Sequence, residues 1–119
     1  MDIRGREYKG WNLIELEGSL DLHSIQDFKT LFNHLANQDK NILFDLKNVK
    51  NVDSSGIACL MYGQKVLSRK NINLRFSNLN PAVKIVFQIT RGYEIFEIFD
   101  DIDFAVLGFR DDQKEQEVA

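Results

Sequence analysis

Residues 42–67, ILFDLKNVKNVDSSGIACLMYGQKVL, contain a change of rhythm that decides the fold. Ile42-Leu43-Phe44-Asp45-Leu46 is a short apolar run of the kind that forms a buried strand, and Lys47 to Val52 reads as a connector. Beyond Asp53-Ser54-Ser55-Gly56, the apolar residues Ile57, Leu60, Met61 and Leu67 recur at helical spacing. These four residues therefore stand where a strand gives way to an amphipathic helix, with Ser54 and Ser55 in its first turn. Backbone N–H groups there lack intrahelical acceptors and the helix dipole is positive. A serine can cap such an end, and a phosphate on it would be stabilised.

The same alternation of periods runs outward in both directions. Trp11, Leu13, Ile14 and Leu16 set against Glu15 and Glu17 suit a strand with one wet face, and Ile3 to Tyr8 is its hairpin partner across Lys9-Gly10. Ile25, Phe28, Leu31, Phe32 and Leu35 share one helical face. Ser24 with Asp27 is a capping pair for that helix, and Asp21 competes for the cap. Towards the C-terminus, Ile72, Leu74 and Phe76 alternate along a strand whose other face reads as wet. Asn80-Pro81 then offers an N-cap followed by proline at the first helical position, with Val83, Val86, Phe87 and Thr90 continuing to Gly92. Ile95, Phe96, Ile98 and Phe99 indicate a last strand, and Asp101 caps a short closing helix through Phe104, Val106 and Leu107.

The expected architecture is an α/β domain, a mixed sheet of about four to five strands with about four helices packed mainly on one side. Ile25, Phe28, Phe32, Ile42, Phe44, Leu60, Leu74 and Phe76 are expected to share its core. Residues 1–110 make the domain, and 111–119 read as an acidic flexible tail with one aliphatic residue larger than alanine.

A chain of 119 residues that is 44% hydrophobic and 28% charged has the composition of an ordinary globular domain. Its formal charge of −3 arises in the tail, where Asp111, Asp112, Glu115 and Glu117 face Lys114. Without those five residues, 14 basic side chains balance 14 acidic ones, and no basic face or motif points to nucleic acid. No apolar run approaches a membrane span, and no apolar segment follows the first basic residues as a secretory signal would require. The lone Cys59 has no partner for an internal disulfide, so the expected location is the cytoplasm.

Familiar catalytic patterns are missing. His23 and His34 lie eleven residues apart, and Cys59 has no second ligand at metal spacing, so no metal and no cofactor are expected. His34 reads as a solvated residue and Cys59 as small apolar packing. The seven glycines make neither a phosphate loop nor a dinucleotide fingerprint. Asp53-Ser54-Ser55-Gly56 has only the trailing glycine of a hydrolase elbow and no histidine base beside it, so enzyme activity is not expected.

Three segments carry a family resemblance: Gly18-Ser19-Leu20-Asp21, Asp53-Ser54-Ser55-Gly56-Ile57, and Asn80-Pro81-Ala82-Val83 leading to Phe87. In this order and spacing the chain, from about Tyr8 to Leu107, resembles the STAS family, the domain shared by anti-sigma factor antagonists and the cytoplasmic tails of sulfate transporters. Within it the chain looks most like the small bacterial anti-anti-sigma factors that work by partner switching. The resemblance implies that Ser54 is the phosphoacceptor. It also implies that Asp21, Asp53, Ser55, Gly56 and Ile57 serve partner binding, with Gly56 letting the partner approach the helix end. The implied partner is an anti-sigma factor with serine kinase activity, bound when Ser54 is unmodified and released when it is phosphorylated. Whether a phosphatase reverses the change stays open, and neither direct nucleic-acid binding nor membrane insertion is implied. The alternative keeps the fold without the switch, as a phosphorylation-independent adaptor in a signalling scaffold or transport complex. The chain departs from the family pattern at Ala58-Cys59, where a second glycine is common, and at Arg91-Gly92-Tyr93, where Gly-Leu is usual.

Overall fold

The computed structural model describes residues 1–108; the expected tail lies outside them. β1 (Asp2–Tyr8) and β2 (Trp11–Leu20) form the expected hairpin. Lys9 and Gly10, with φ of 49° and 87°, make the tight turn whose twist suits paired strands. A short 3-10 turn, Leu22–Ser24, leads into α1 (Ile25–Leu35). Then come β3 (Ile42–Val52), α2 (Ser54–Ser68), β4 (Leu74–Ser77) and α3 (Pro81–Ile89). α4 (Gly92–Ile95), β5 (Glu97–Phe99) and α5 (Ile102–Leu107) complete the order. The sheet has five strands in sequence order, with β1 antiparallel to β2 and every other neighbour parallel.

Each parallel crossover carries a helix, and α1, α2 and α3 bury their apolar sides on one sheet face. Phe28 and Phe32 from α1, Leu60 and Leu67 from α2, and Val83 and Phe87 from α3 join Ile42, Phe44, Leu74 and Phe76 in the main core. Phenylalanine rings run across it in mostly tilted or edge contacts, Phe44 touching Phe28, Phe32 and Phe76, and Phe76 touching Phe87 and Phe96. α1 and α2 approach closely because Gly63 has no side chain. A Cβ there would lie 2.1 Å from the Phe32 ring. Of the expected core, Ile25 is the exception: it is only half-buried, since it sits at the junction of the 3-10 turn and α1 before the apolar stripe reaches the sheet.

Several expectations are corrected. Lys47 to Val52 is strand, because β2 is long enough to pair with it through Leu20↔Val52, and two register shifts absorb its irregular polar spacing. The far face of β4 is not wet. Ser77 is fully buried, and Arg75 stacks its guanidinium over Trp11 and Phe99 while donating to Glu97 and to the carbonyl of Ala105. These contacts exist because α5 lies on that face, closing a smaller cluster of Trp11, Leu13, Leu43, Phe99 and Ala105. Ile95 belongs to the α4 turn, and the last strand starts at Glu97. Ser24 and Asp27 do not cap α1. Asp21 takes the cap of the preceding 3-10 turn, and the Ser24 hydroxyl accepts from the Asp21 N–H at 2.9 Å.

Candidate functional site

Leu20 ends β2, Val52 ends β3, and the two are paired. The residues that follow, Asp21 and Asp53, therefore leave the sheet side by side on adjacent strands, roughly 5 Å apart along the ladder direction. Both then cap the turn they begin. The Asp21 carboxylate accepts from the N–H of His23 at 2.9 Å, and the Asp53 carboxylate accepts from the N–H of Gly56 at 2.9 Å. The Asp53 N–H in turn donates to the Leu20 carbonyl at 3.1 Å, which ties the start of α2 to the end of β2.

Capping by Asp53 corrects the idea that a serine caps α2, and it decides the state of the serines. Ser54 is the first residue of the helix and is exposed; Ser55, the second, is half-buried. Among the described residues neither hydroxyl has a hydrogen-bond partner. Ser54 thus presents a free Oγ at the positive end of a 15-residue helix, beside the carboxylate of Asp53.

Gly56 and Ile57 are buried beneath this surface. A Cβ on Gly56 would stand 2.3 Å from the Leu20 carbonyl oxygen, so this glycine permits the close approach of β2. Ile57, 5% exposed, anchors the first turn in the core. Both shape the site from below, and the accessible part of the expected set is Asp21, Asp53, Ser54 and Ser55.

Other polar contacts brace the strands and the loops that leave them. Asn51 Nδ2 donates to Ser19 Oγ at 3.4 Å across β2 and β3. Asn80 caps α3 by accepting from the Val83 N–H at 3.1 Å and donates to the Val49 carbonyl. Asp45, 3% exposed, accepts from the Lys47 N–H at 3.0 Å and from Asn78 Nδ2 at 3.2 Å. The sequence signals Asn80 through its proline, but Asp45 carries no sign of its role, because Asn78 is a distant partner brought in by the β3–β4 pairing. Cys59 is buried, which pushes its thiol pKa up against a smaller opposing pull from Lys29. That is packing chemistry, as expected. His34 is exposed, its ring in contact with the Gln38 amide at 2.8 Å. Among the described residues no group of histidine, cysteine and carboxylate side chains is placed to hold a metal, and no helix is long and apolar enough to cross a membrane.

A five-stranded sheet with its helices mainly on one face, and a capped helix start after its third strand, defines an α/β fold of one known kind. The STAS domain family model matches residues 3–105, and the chain belongs to that family. A curated relative, the anti-sigma F factor antagonist of Paenibacillus polymyxa, is 23% identical over 103 residues, covering 85% of this chain and 88% of the relative. Among solved structures, an anti-sigma factor antagonist from Mycobacterium paratuberculosis superimposes with a TM-score of 0.80 at 15% identity, covering 90% of this chain and 92% of its own. The anti-sigma factor antagonist SpoIIAA of Bacillus is similar in two states. Its unphosphorylated form has a TM-score of 0.72 at 18% identity, covering 89% and 93% of the two chains. Its phosphorylated form has 0.64 at 17%, covering 90% and 97%. At these identities the structural likeness speaks for the fold.

Proposed function

We propose that this chain is an anti-sigma factor antagonist that works by partner switching. Unmodified, it binds an anti-sigma factor with serine kinase activity and so frees a sigma factor; phosphorylated on Ser54, it lets the partner go. The observation that carries this reading is the exposed, unengaged Ser54 hydroxyl at the start of α2, with Asp53 holding the cap so that the serine is left for chemistry. Fold relatives in both phosphorylated and unphosphorylated forms support it.

The physics of the switch is local. A phosphoserine adds about −1.5 to −2 charges, and the N–H groups and dipole of the helix start can hold it without unfolding the domain. A partner closing over this end would bury that charge beside Asp53 and Asp21, and both repulsion and desolvation oppose the contact. The chain itself is a binding protein in this scheme, and the phosphoryl group comes from the partner's ATP. Asp21 and Asp53 serve recognition or alignment of the kinase, and the half-buried Ser55 is not the acceptor.

Incubation with a kinase-type anti-sigma factor and ATP, followed by peptide mass spectrometry, tests the assignment. Phosphate is expected on Ser54 in the wild type and in Ser55→Ala, and absent from Ser54→Ala. Phosphate elsewhere, or none with the partner still bound, would favour a phosphorylation-independent adaptor.

A further inference from the structure

β1 is one edge of the sheet, and among the described residues no strand pairs with its outer side. The two-residue turn at Lys9 and Gly10 makes Tyr8 and Trp11 the closing hydrogen-bonded pair. Bonding alternates from there, so Arg6, Arg4 and Asp2 also bond to β2, whereas the backbone N–H and C=O groups of Glu7, Gly5 and Ile3 point outward. An edge of seven residues with such unpaired groups is a template for another strand. The two faces beside it differ. Ile3, Gly5 and Glu7 line a cleft of about 600 Å³ against α1, whose floor includes the buried Ile14 and Leu35. Arg4 and Arg6 alternate onto the opposite face, where Arg6 is paired with Glu15 at 3.1 Å and Arg4 is in no ion pair among the described residues.

An extended segment that complements this edge needs acidic residues against Arg4 and Arg6, alternating with an apolar residue over the cleft. The chain carries such a segment beyond Gly108, Lys114-Glu115-Gln116-Glu117-Val118. Set antiparallel to β1, it places Glu117 opposite Arg4, Gln116 opposite Gly5 and Glu115 opposite Arg6. The same register puts Val118 opposite Ile3 and Lys114 opposite Glu7, so every charged pair is of opposite sign and the apolar pair falls on the cleft. A parallel setting of the same glutamates puts Lys114 opposite Ile3 and Val118 opposite Glu7, which loses both matches. Direction and reach agree with the antiparallel setting, which requires the segment to enter at the Tyr8 end. Asp103 of α5 touches Tyr8 and Lys9 there, and Gly108 follows five residues on, about 8 Å along the helix. The six steps from Gly108 to Lys114 span about 20 Å when extended, enough to pass the hairpin and lie alongside β1.

We propose that residues 114–118 add to β1 of the same molecule as a sixth, antiparallel strand, with Glu117 and Glu115 against Arg4 and Arg6 on one face and Val118 beside Ile3 over the cleft. Backbone hydrogen bonds to Ile3, Gly5 and Glu7 hold the added strand, and the exposed ion pairs, each weak, select its register. The chain thereby covers its own open edge, which is otherwise free to pair with the strands of other molecules. This inference is independent of the reading of Ser54.

Amide hydrogen exchange of the full chain, read residue by residue by NMR, tests the pairing. The amides of Ile3, Gly5 and Glu7 are expected to exchange about tenfold or more slowly in the wild type than in Gln116→Pro, whose proline removes an N–H that the added strand needs. Equal protection of Leu13 and Phe44 in both proteins reports that the domain itself is folded. A short contact between the Arg4 and Glu117 Hα atoms is expected in the wild type, because these residues face each other as a pair without mutual hydrogen bonds. Glu117→Arg should speed exchange of the three edge amides, and Arg4→Glu added to it should slow exchange again. Edge amides that are unprotected in the wild type, or protected equally in Gln116→Pro, overturn the proposal. Protection that rises with protein concentration also overturns it, since the segment then pairs with a second copy of the chain.

Discussion

Asp53 performs two tasks that different substitutions separate. Its carboxylate accepts from the Gly56 N–H, a task asparagine also performs, and its charge stands beside Ser54, which asparagine does not supply. Asp53→Ala is expected to lower stability by about 1 kcal/mol. Asp53→Asn should keep the wild-type melting temperature and slow phosphorylation. Parallel thermal melts and kinase assays check both, and equal phosphorylation rates for wild type and Asp53→Asn would remove the charge from the account. Gly56 gives a sharper test of the geometry. Because the obstructing atom is the Leu20 backbone oxygen, Gly56→Ala should cost about 1–3 kcal/mol in chemical denaturation. The sequence showed Ser54 at a helix start and glycine two residues on. It did not show what the glycine makes room for, because Leu20 is brought there by a strand pairing that no local pattern records.

At the scale of elements, the closing helix is the most dependent on side chains from elsewhere. α5 is six residues long, too short to be stable alone, and is held by Arg75 at the Ala105 carbonyl and by Asp103 near its start. Asp103 accepts from the Tyr8 hydroxyl and from Lys9 Nζ, the latter at 3.0 Å. The hydrogen bond from Tyr8 and then that from Lys9 lower the Asp103 pKa, while Asp103 raises the pKa of both donors. A depressed carboxylate contributes stability above its unfolded pKa and loses it as pH falls through the folded value. A raised tyrosine or lysine contributes below its unfolded pKa and loses it as pH rises through the folded value. Docking of α5 should therefore be firmest at neutral pH and loosen towards both extremes, modestly, because these groups are exposed and screened by salt. Amide exchange at Phe104 and Ala105 followed across pH should show this, and Asp103→Asn should flatten the acid limb.

The Asp101 cap made α5 legible in the sequence, but its place on the second sheet face was not. The alternation in 72–77 leaves Arg75 looking like a solvent-facing residue, and only the stacking of its guanidinium on Trp11 and Phe99 makes that face dry. The length of β3 was hidden for a related reason. Lysine and asparagine dominate 47–51, and β2 supplies the partner that their composition does not announce.

For the molecule as a whole, the order of strands and helices and the one-sided core were readable because each apolar stripe has a clear period and only one surface can cover them all. Phe28 and Phe44 stand at the centre of that surface with no exposure, so Phe28→Ala or Phe44→Ala should each cost roughly 3 to 5 kcal/mol in denaturant unfolding. Wild-type midpoints would contradict the assignment. In the proposed switch, a core packed in this way keeps the fold while a charge at one helix end changes binding.

The most direct test of that central claim is the affinity of one kinase-type anti-sigma factor for the unmodified chain and for the chain phosphorylated on Ser54, measured by titration calorimetry. A loss of ~3 kcal/mol, about 150-fold in Kd, is predicted, with the far-ultraviolet spectrum and melting transition of the phosphorylated chain retained. Equal affinities of the two forms, or release that occurs only because the phosphorylated domain unfolds, would contradict it.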